Sequence, residues 1–195
     1  MIFLRHPSPR VEPGTCYGRL DLDIAEEGAG QIARALETTP RFTHLLASPA
    51  LRCRALAQAL CERESVRPVF DERLWEMDMG AWEGRAWRDI PLEETADWIK
   101  DPVNLPTPGG ESFLDLQRRV AAAIAEADHA SLASTVVVCH AGPIRAMQMA
   151  WNGLSFREAF AAAPPYSEPI ELHPPDSGPS DENRKNEDTG PQRQA

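Results

Sequence analysis

Short apolar runs alternate with longer stretches of helical period along most of the chain. Residues 1–5 read as a buried strand, Thr43 to Ala47 as a second, Val66 to Phe70 as a third and Thr135 to Cys139 as a fourth. Apolar runs of this length suit strands covered on both faces. Ile24, Gly28, Ile32 and Leu36 follow helical spacing and predict a helix over 24–37, which Pro40 stops. Ser48-Pro49 opens a helix near 50–63, with Pro49 expected at the first helical position. Phe113, Leu116, Val120, Ile124 and Ala127 predict a helix over 113–129 with Ser112 as its N-cap. A last helix runs from Pro143 to Trp151. Strands alternating with helices imply an α/β fold with a mainly parallel sheet.

Two segments break this pattern. Residues 71–110 hold Trp75, Trp82, Trp87 and Trp98 with several Pro and Gly, which predicts a lid insertion with one short helix near 92–99. Its tryptophans are expected to pack the lid against the core, the alternative being that they line a pocket for an aromatic or sugar-like substrate. From Pro164 the composition turns to Pro, Glu, Asp, Ser and Asn. So little apolar surface does not offset the entropy of ordering, so 1–163 is expected to be the domain and 164–195 a disordered tail.

Composition narrows the partners. The chain has 195 residues, 42% of them hydrophobic, enough for one substantial core. It has no apolar run near the roughly 18 residues of a membrane span and no secretory leader pattern. No membrane partner and a cytoplasmic location are therefore expected. A net charge of −10 disfavours nucleic acid as a partner and repels anions at long range. Any phosphate site must rest on a few local arginines and backbone N–H groups. Cys16, Cys53, Cys61 and Cys139 form no C-x-x-C pair; Cys53 and Cys61, two turns apart on a predicted helix, read as core thiols, with zinc or disulfides as the alternatives.

The candidate chemistry lies where strands end. His6 directly follows the first strand and His140 the fourth. Open α/β sheets bind ligands at the carboxyl ends of their strands, so one shared parallel sheet brings both histidines to one crevice. Pro7 keeps His6 extended. Such a histidine is a candidate nucleophile, base or ligand, and Arg5 beside it invites an anion. Arg52 falls in the first turn of a helix, where a cation is unfavourable unless an anion compensates. In His140-Ala141-Gly142-Pro143 a turn leads into a helix whose free N–H groups suit a phosphate. Glu76 stands among tryptophans as a candidate general acid, with Glu83 and Asp78 competing; Asp78 reads as a loop brace.

In this order these residues resemble the histidine phosphatase superfamily, which includes phosphoglycerate mutase. Leu4-Arg5-His6-Pro7 is similar to its Arg-His signature. Tyr17-Gly18-Arg19-Leu20-Asp21, Glu27-Gly28 with Gln31, Ser48-Pro49 through Arg52, Leu74 through Gly84, Gly110-Glu111-Ser112 and His140-Ala141-Gly142 follow in sequence. The resemblance implies a three-layer α/β/α fold and a phosphomonoesterase that uses no cofactor and no metal. It implies that His6 becomes a phosphohistidine, that Glu76 protonates the leaving oxygen and that His140 steadies the phosphoryl group. Arg5, Arg52, Tyr17, Gly18, Ala141 and Gly142 are the implied substrate-binding residues, and a small-molecule phosphate ester is the implied partner. Pro7 departs from the usual glycine, and Ala141 stands where a second glycine is common. Within the superfamily the compact segments look most like bacterial α-ribazole phosphatases of cobalamin biosynthesis, acting on α-ribazole 5′-phosphate. The alternatives are a broad-specificity sugar or nucleotide phosphate phosphatase, a phosphoglycerate mutase-like enzyme, and a non-catalytic phosphate-binding protein on the same fold.

Overall fold

A computed structural model describes residues 1–127 and 129–175. Strands β1 (Ile2–Arg5), β2 (His44–Ala47), β3 (Pro68–Phe70), β4 (Thr135–Cys139) and β5 (Pro169–Glu171) form one sheet in the order β3-β2-β4-β1-β5. All pairings are parallel except β1 with β5. The helices are α1 (Gly28–Thr38), α2 (Leu51–Glu64), α3 (Leu92–Lys100), α4 (Phe113–Ala125), α5 (Ala141–Asn152) and α6 (Phe156–Ala159).

Alternation along the strands divides the core in two. Phe3, Val137 and Cys139 face Leu116, Val120, Ile144 and Met147 of α4 and α5. Leu4, Val136 and Val138 face Leu56 and Leu60 of α2 and Ala35 of α1. The result is the three-layer α/β/α fold with a mixed, mostly parallel sheet. Every residue of β4 is buried. A central strand covered on both faces reads as a continuous apolar run, which is why no polar alternation marks it.

Element edges differ from expectation for local reasons. α1 begins at Gly28 with Glu27 at its N-cap, so Ile24 lies outside the helix. α2 begins at Leu51 with Ala50 as N-cap, which puts Pro49 before the helix rather than at its first position. α4 ends at Ala125, short of 129, but its start is the expected one: the Ser112 hydroxyl accepts from the Asp115 N–H, and the Asp115 carboxylate accepts from the Ser112 N–H. α5 opens at Ala141, so Pro143 is its third residue. The first four N–H groups of a helix have no intrahelical partner, so the missing donor costs nothing there.

The expected boundary at 164 is too early. Ile170 pairs with Phe3 in β5, Leu172 is buried, and Tyr166 bridges to Arg5. An edge strand needs few apolar residues when a finished sheet supplies its partner, so composition alone misjudged this segment. Residues 176–195 of the expected tail lie outside the described residues. In the 71–110 segment the packing expectation holds for Trp82, which is fully buried and meets Trp98 edge to face at 5.4 Å.

Candidate active site

Register assembles the site. Arg5 pairs with Cys139 across β1 and β4, and the His6 N–H donates to the Cys139 carbonyl at 2.9 Å. The residues that follow, His6 and His140, therefore leave the sheet side by side, with ring centroids 5.1 Å apart. Ala47 pairs with Val138, so Ser48 leaves β2 at the same edge. Three strand ends thus deliver Arg5-His6, Ser48 and His140 to one crevice.

Hydrogen-bond partners set the two imidazoles. His6 Nδ1 lies 2.6 Å from the Pro7 carbonyl, which only accepts, so Nδ1 carries the hydrogen and Nε2 keeps the lone pair. Position 7 contributes its carbonyl, and the N–H that proline lacks is not part of this bond. His140 Nε2 lies 2.8 Å from Ser48 Oγ. The Ala50 N–H donates to that same oxygen at 3.4 Å, so Ser48 links the start of α2 to the His140 ring. Nδ1 of His140 is buried without a partner. Burial, above all, and then the Arg52 charge hold both histidines well below the usual histidine pKa. Both are neutral near pH 7. Trp75 stacks on the His140 ring with 9° between the planes.

Arg5 and Arg52 have no counter-charge among the described residues. Arg52, in the first turn of α2, is fully buried and donates to the carbonyls of Leu20 at 2.6 Å and Gly18 at 2.7 Å. No carboxylate among the described residues forms an ion pair with it or with Arg5. Arg5 stacks over Tyr166 at 3.9 Å and donates to the Tyr166 hydroxyl and the Pro164 carbonyl. The Nε atoms of Arg5 and Arg52 are buried and unpartnered, as is His140 Nδ1. A buried charge without a partner is costly, so these donors favour a bound anion.

The carboxylates separate by their partners. Glu76 reaches the start of α5, where its carboxylate accepts from the Gly142 N–H at 3.0 Å, and it also accepts from its neighbour Met77. A Cβ at position 142 would sit 2.2 Å from Glu76 Oε1, so only glycine admits this approach. Arg119 of α4 fixes the segment from behind, donating to the carbonyls of Arg73, Trp75 and Glu76 and pairing with Glu111 at 2.6 Å. Glu83 instead accepts from the N–H groups of Arg19 and Leu20, both at 2.7 Å, and so braces the 17–20 loop. Asp78 accepts from the Gly80 N–H, a loop brace as expected.

Of the remaining expected residues, Gly18 and Gly142 contact Arg52 and Glu76. The Gly18 carbonyl holds Arg52, and a Cβ there would meet the Met77 carbonyl at 1.9 Å. The Gly142 N–H is engaged by Glu76 rather than left open for an anion. Ala141 opens α5 beside His140 and is buried. Tyr17 lines a cavity of about 170 Å3 together with Glu76, Gly142 and Arg145. Its phenol is pushed up to about 12 by burial first and by Tyr166 next, so it stays protonated. Sequence reasoning missed Ser48 as the partner of His140, and Tyr166 and Arg145 altogether. For Tyr166, the alternation of Ile170 and Leu172 just beyond it was the available signal.

The residues described group the chain with known proteins. Residues 1–179 match the histidine phosphatase superfamily (branch 1). The chain belongs to that superfamily. It is 30% identical over 162 residues to phosphoserine phosphatase 1 of Hydrogenobacter thermophilus, covering 79% of this chain and 76% of that one. It is 28% identical over 184 residues to the adenosylcobalamin/α-ribazole phosphatase of Salmonella typhimurium, covering 81% and 91%. The native structure of a mycobacterial glucosyl-3-phosphoglycerate phosphatase superposes with a TM-score of 0.71 at 24% identity, covering 84% of each chain, a likeness of fold. Membership makes the chain a phosphatase, with the metal-independent phosphomonoester hydrolysis of that superfamily. Among the described residues no three His, Cys, Asp or Glu side chains converge as a metal site, and no helix is long and apolar enough to cross a membrane.

Proposed function

We propose that this histidine phosphatase hydrolyses small phosphate monoesters through a phosphohistidine on His6. The observation that carries the reading is a neutral imidazole with Nε2 unprotonated, set beside buried cationic donors that pair with no carboxylate among the described residues. Nε2 of His6 attacks phosphorus, the P–O bond to the leaving alcohol breaks, and Glu76 gives its proton to that oxygen. Arg5, Arg52 and His140 stabilise the charge spreading over the phosphoryl oxygens. Water then attacks the phosphohistidine, Glu76 takes its proton, and His6 and orthophosphate are released.

The substrate reading drawn from sequence is α-ribazole 5′-phosphate. The aromatic cavity wall, with Trp87, Trp98 and Phe113, supports a flat leaving group, as does the likeness to the Salmonella protein. The Hydrogenobacter relative supports phosphoserine. These two leaving groups differ in one decisive respect: only phosphoserine carries a carboxylate.

The mechanism is tested by rapid alkaline quench with 32P-labelled ester, because phosphohistidine survives base. Label is expected on His6, and His6→Ala is expected to lose both the label and at least about a thousandfold in kcat. Full turnover by His6→Ala would sink the mechanism. A panel containing α-ribazole 5′-phosphate and phosphoserine ranks the substrates by kcat/KM.

A further inference from the structure

Beyond the phosphate-binding residues, one more cation is committed to the crevice. Arg145 lies on α5, three residues after Gly142 and so roughly 4.5 Å further along the helix axis. It is half-buried and lines the same cavity as Tyr17 and Glu76; the other walls are largely apolar, including Met77, Met79 and Phe113. Nε donates to the Ala159 carbonyl at 3.1 Å and Nη2 to the Ala162 carbonyl at 3.3 Å, while the guanidinium stacks over Phe160 at 4.2 Å. These contacts engage Nε and Nη2 and leave Nη1 without a hydrogen bond to any described residue. No carboxylate among the described residues pairs with it. Glu76 acts on it only through space, and burial, the larger effect, pulls its pKa below the ordinary arginine value.

A charge kept in an apolar wall with a donor to spare is a recognition element for an anion. Its position one helical turn from the start of α5 measures the distance between that anion and the transferred phosphoryl group. The cavity of about 170 Å3 is small beside the roughly 300–1,000 Å3 of sites for larger ligands. The chain's net charge of −10 gives an acid no long-range help, so a local cation must supply the attraction.

We infer that Arg145 selects phosphate monoesters whose leaving alcohol carries a carboxylate a few bonds from the ester oxygen, that is, short phosphorylated hydroxy acids. This rests on the phosphomonoesterase reading above and chooses among its substrates. Arg145 is thereby the specificity-determining residue of the leaving-group pocket, while Arg5 and Arg52 serve the phosphoryl group.

The test compares 3-phosphoglycerate with glycerol 3-phosphate, which differ in the carboxylate, and uses p-nitrophenyl phosphate as a reference. The wild-type protein is expected to favour the acid at least about tenfold in kcat/KM. Arg145→Gln is expected to lower that preference about 10- to 100-fold, the range of a charged hydrogen bond, with the loss falling on the acid more than on either carboxylate-free ester. Arg145→Lys is expected to keep part of the preference. A purely structural Arg145, bracing Ala159 and Ala162, would lower all three esters alike, and that result overturns the inference. So does a wild-type protein that does not favour the acid. Turnover of α-ribazole 5′-phosphate but of none of the three also overturns the inference and leaves the phosphohistidine reading standing, whereas turnover of no ester at all together with no label on His6 removes that reading.

Discussion

Glu76 and Glu83 stand seven positions apart in one segment and differ wholly in what they hold. Glu83 is spent on the N–H groups of Arg19 and Leu20, whereas Glu76 is presented at the start of α5, beside His140. Glu76→Gln is expected to lower kcat about 100-fold or more on alkyl phosphates, and far less on p-nitrophenyl phosphate, whose leaving oxygen needs little help from an acid. Glu83→Gln is expected to lower thermal stability with no such dependence on the leaving group. A plot of log kcat against leaving-group pKa for both variants checks this, and equal slopes for Glu76→Gln and wild type would remove Glu76 from the role. The identity of the two carboxylates was visible in the sequence, but not their assignment. Both lie near tryptophans and glycines, and only the neighbours brought by folding tell them apart.

At the scale of elements, the ends of strands and helices carry the chemistry and the edge strand supports it. Strand β5 covers the open side of β1 and brings Tyr166 onto Arg5. A chain ending at residue 163 is therefore expected to lose both. It should melt well below the full chain, and its KM for phosphate esters should rise as Arg5 loses its stacking partner. Thermal melts and Michaelis curves of the two proteins measure this, and unchanged values would show that β5 is dispensable. The other elements were largely legible. β1 and β4 announce themselves as apolar runs, Ser112 as a cap, and α2 as a helix carrying Arg52 in its first turn. β5 was not, because its three residues gain their stability from a neighbour far away in sequence.

Over the whole molecule, two neutral histidines buried together tie stability to pH. In the unfolded chain each takes a proton near its ordinary pKa of about 6.5. In the folded chain burial and Arg52 hold both values well below that, so the unfolded state binds more protons as pH falls. Stability is therefore full above about pH 6.5 and declines below it, until the folded-state values are reached. The slope approaches about 1.4 kcal/mol per pH unit for each histidine. Melting temperatures between pH 5 and 8 should show this decline, and His6→Gln should make it shallower. An identical slope in the variant would mean that His6 does not contribute.

Apolar periodicity and the residues at strand ends were sufficient, from sequence alone, for the α/β class, the order of most elements and the meeting of His6 with His140 at one edge of the sheet. They suffice because burial of apolar faces is a local pattern, and because parallel strands must end on the same edge. What only the tertiary structure decided is which groups are left without partners. The register of β1 against β4 sets the histidines side by side. The glycine at 142 is there for Glu76, Ser48 orients His140, and Arg145 sits in an apolar wall with a donor unspent. Whether a polar group is satisfied depends on neighbours distant along the chain, and that information exists only once the chain has folded.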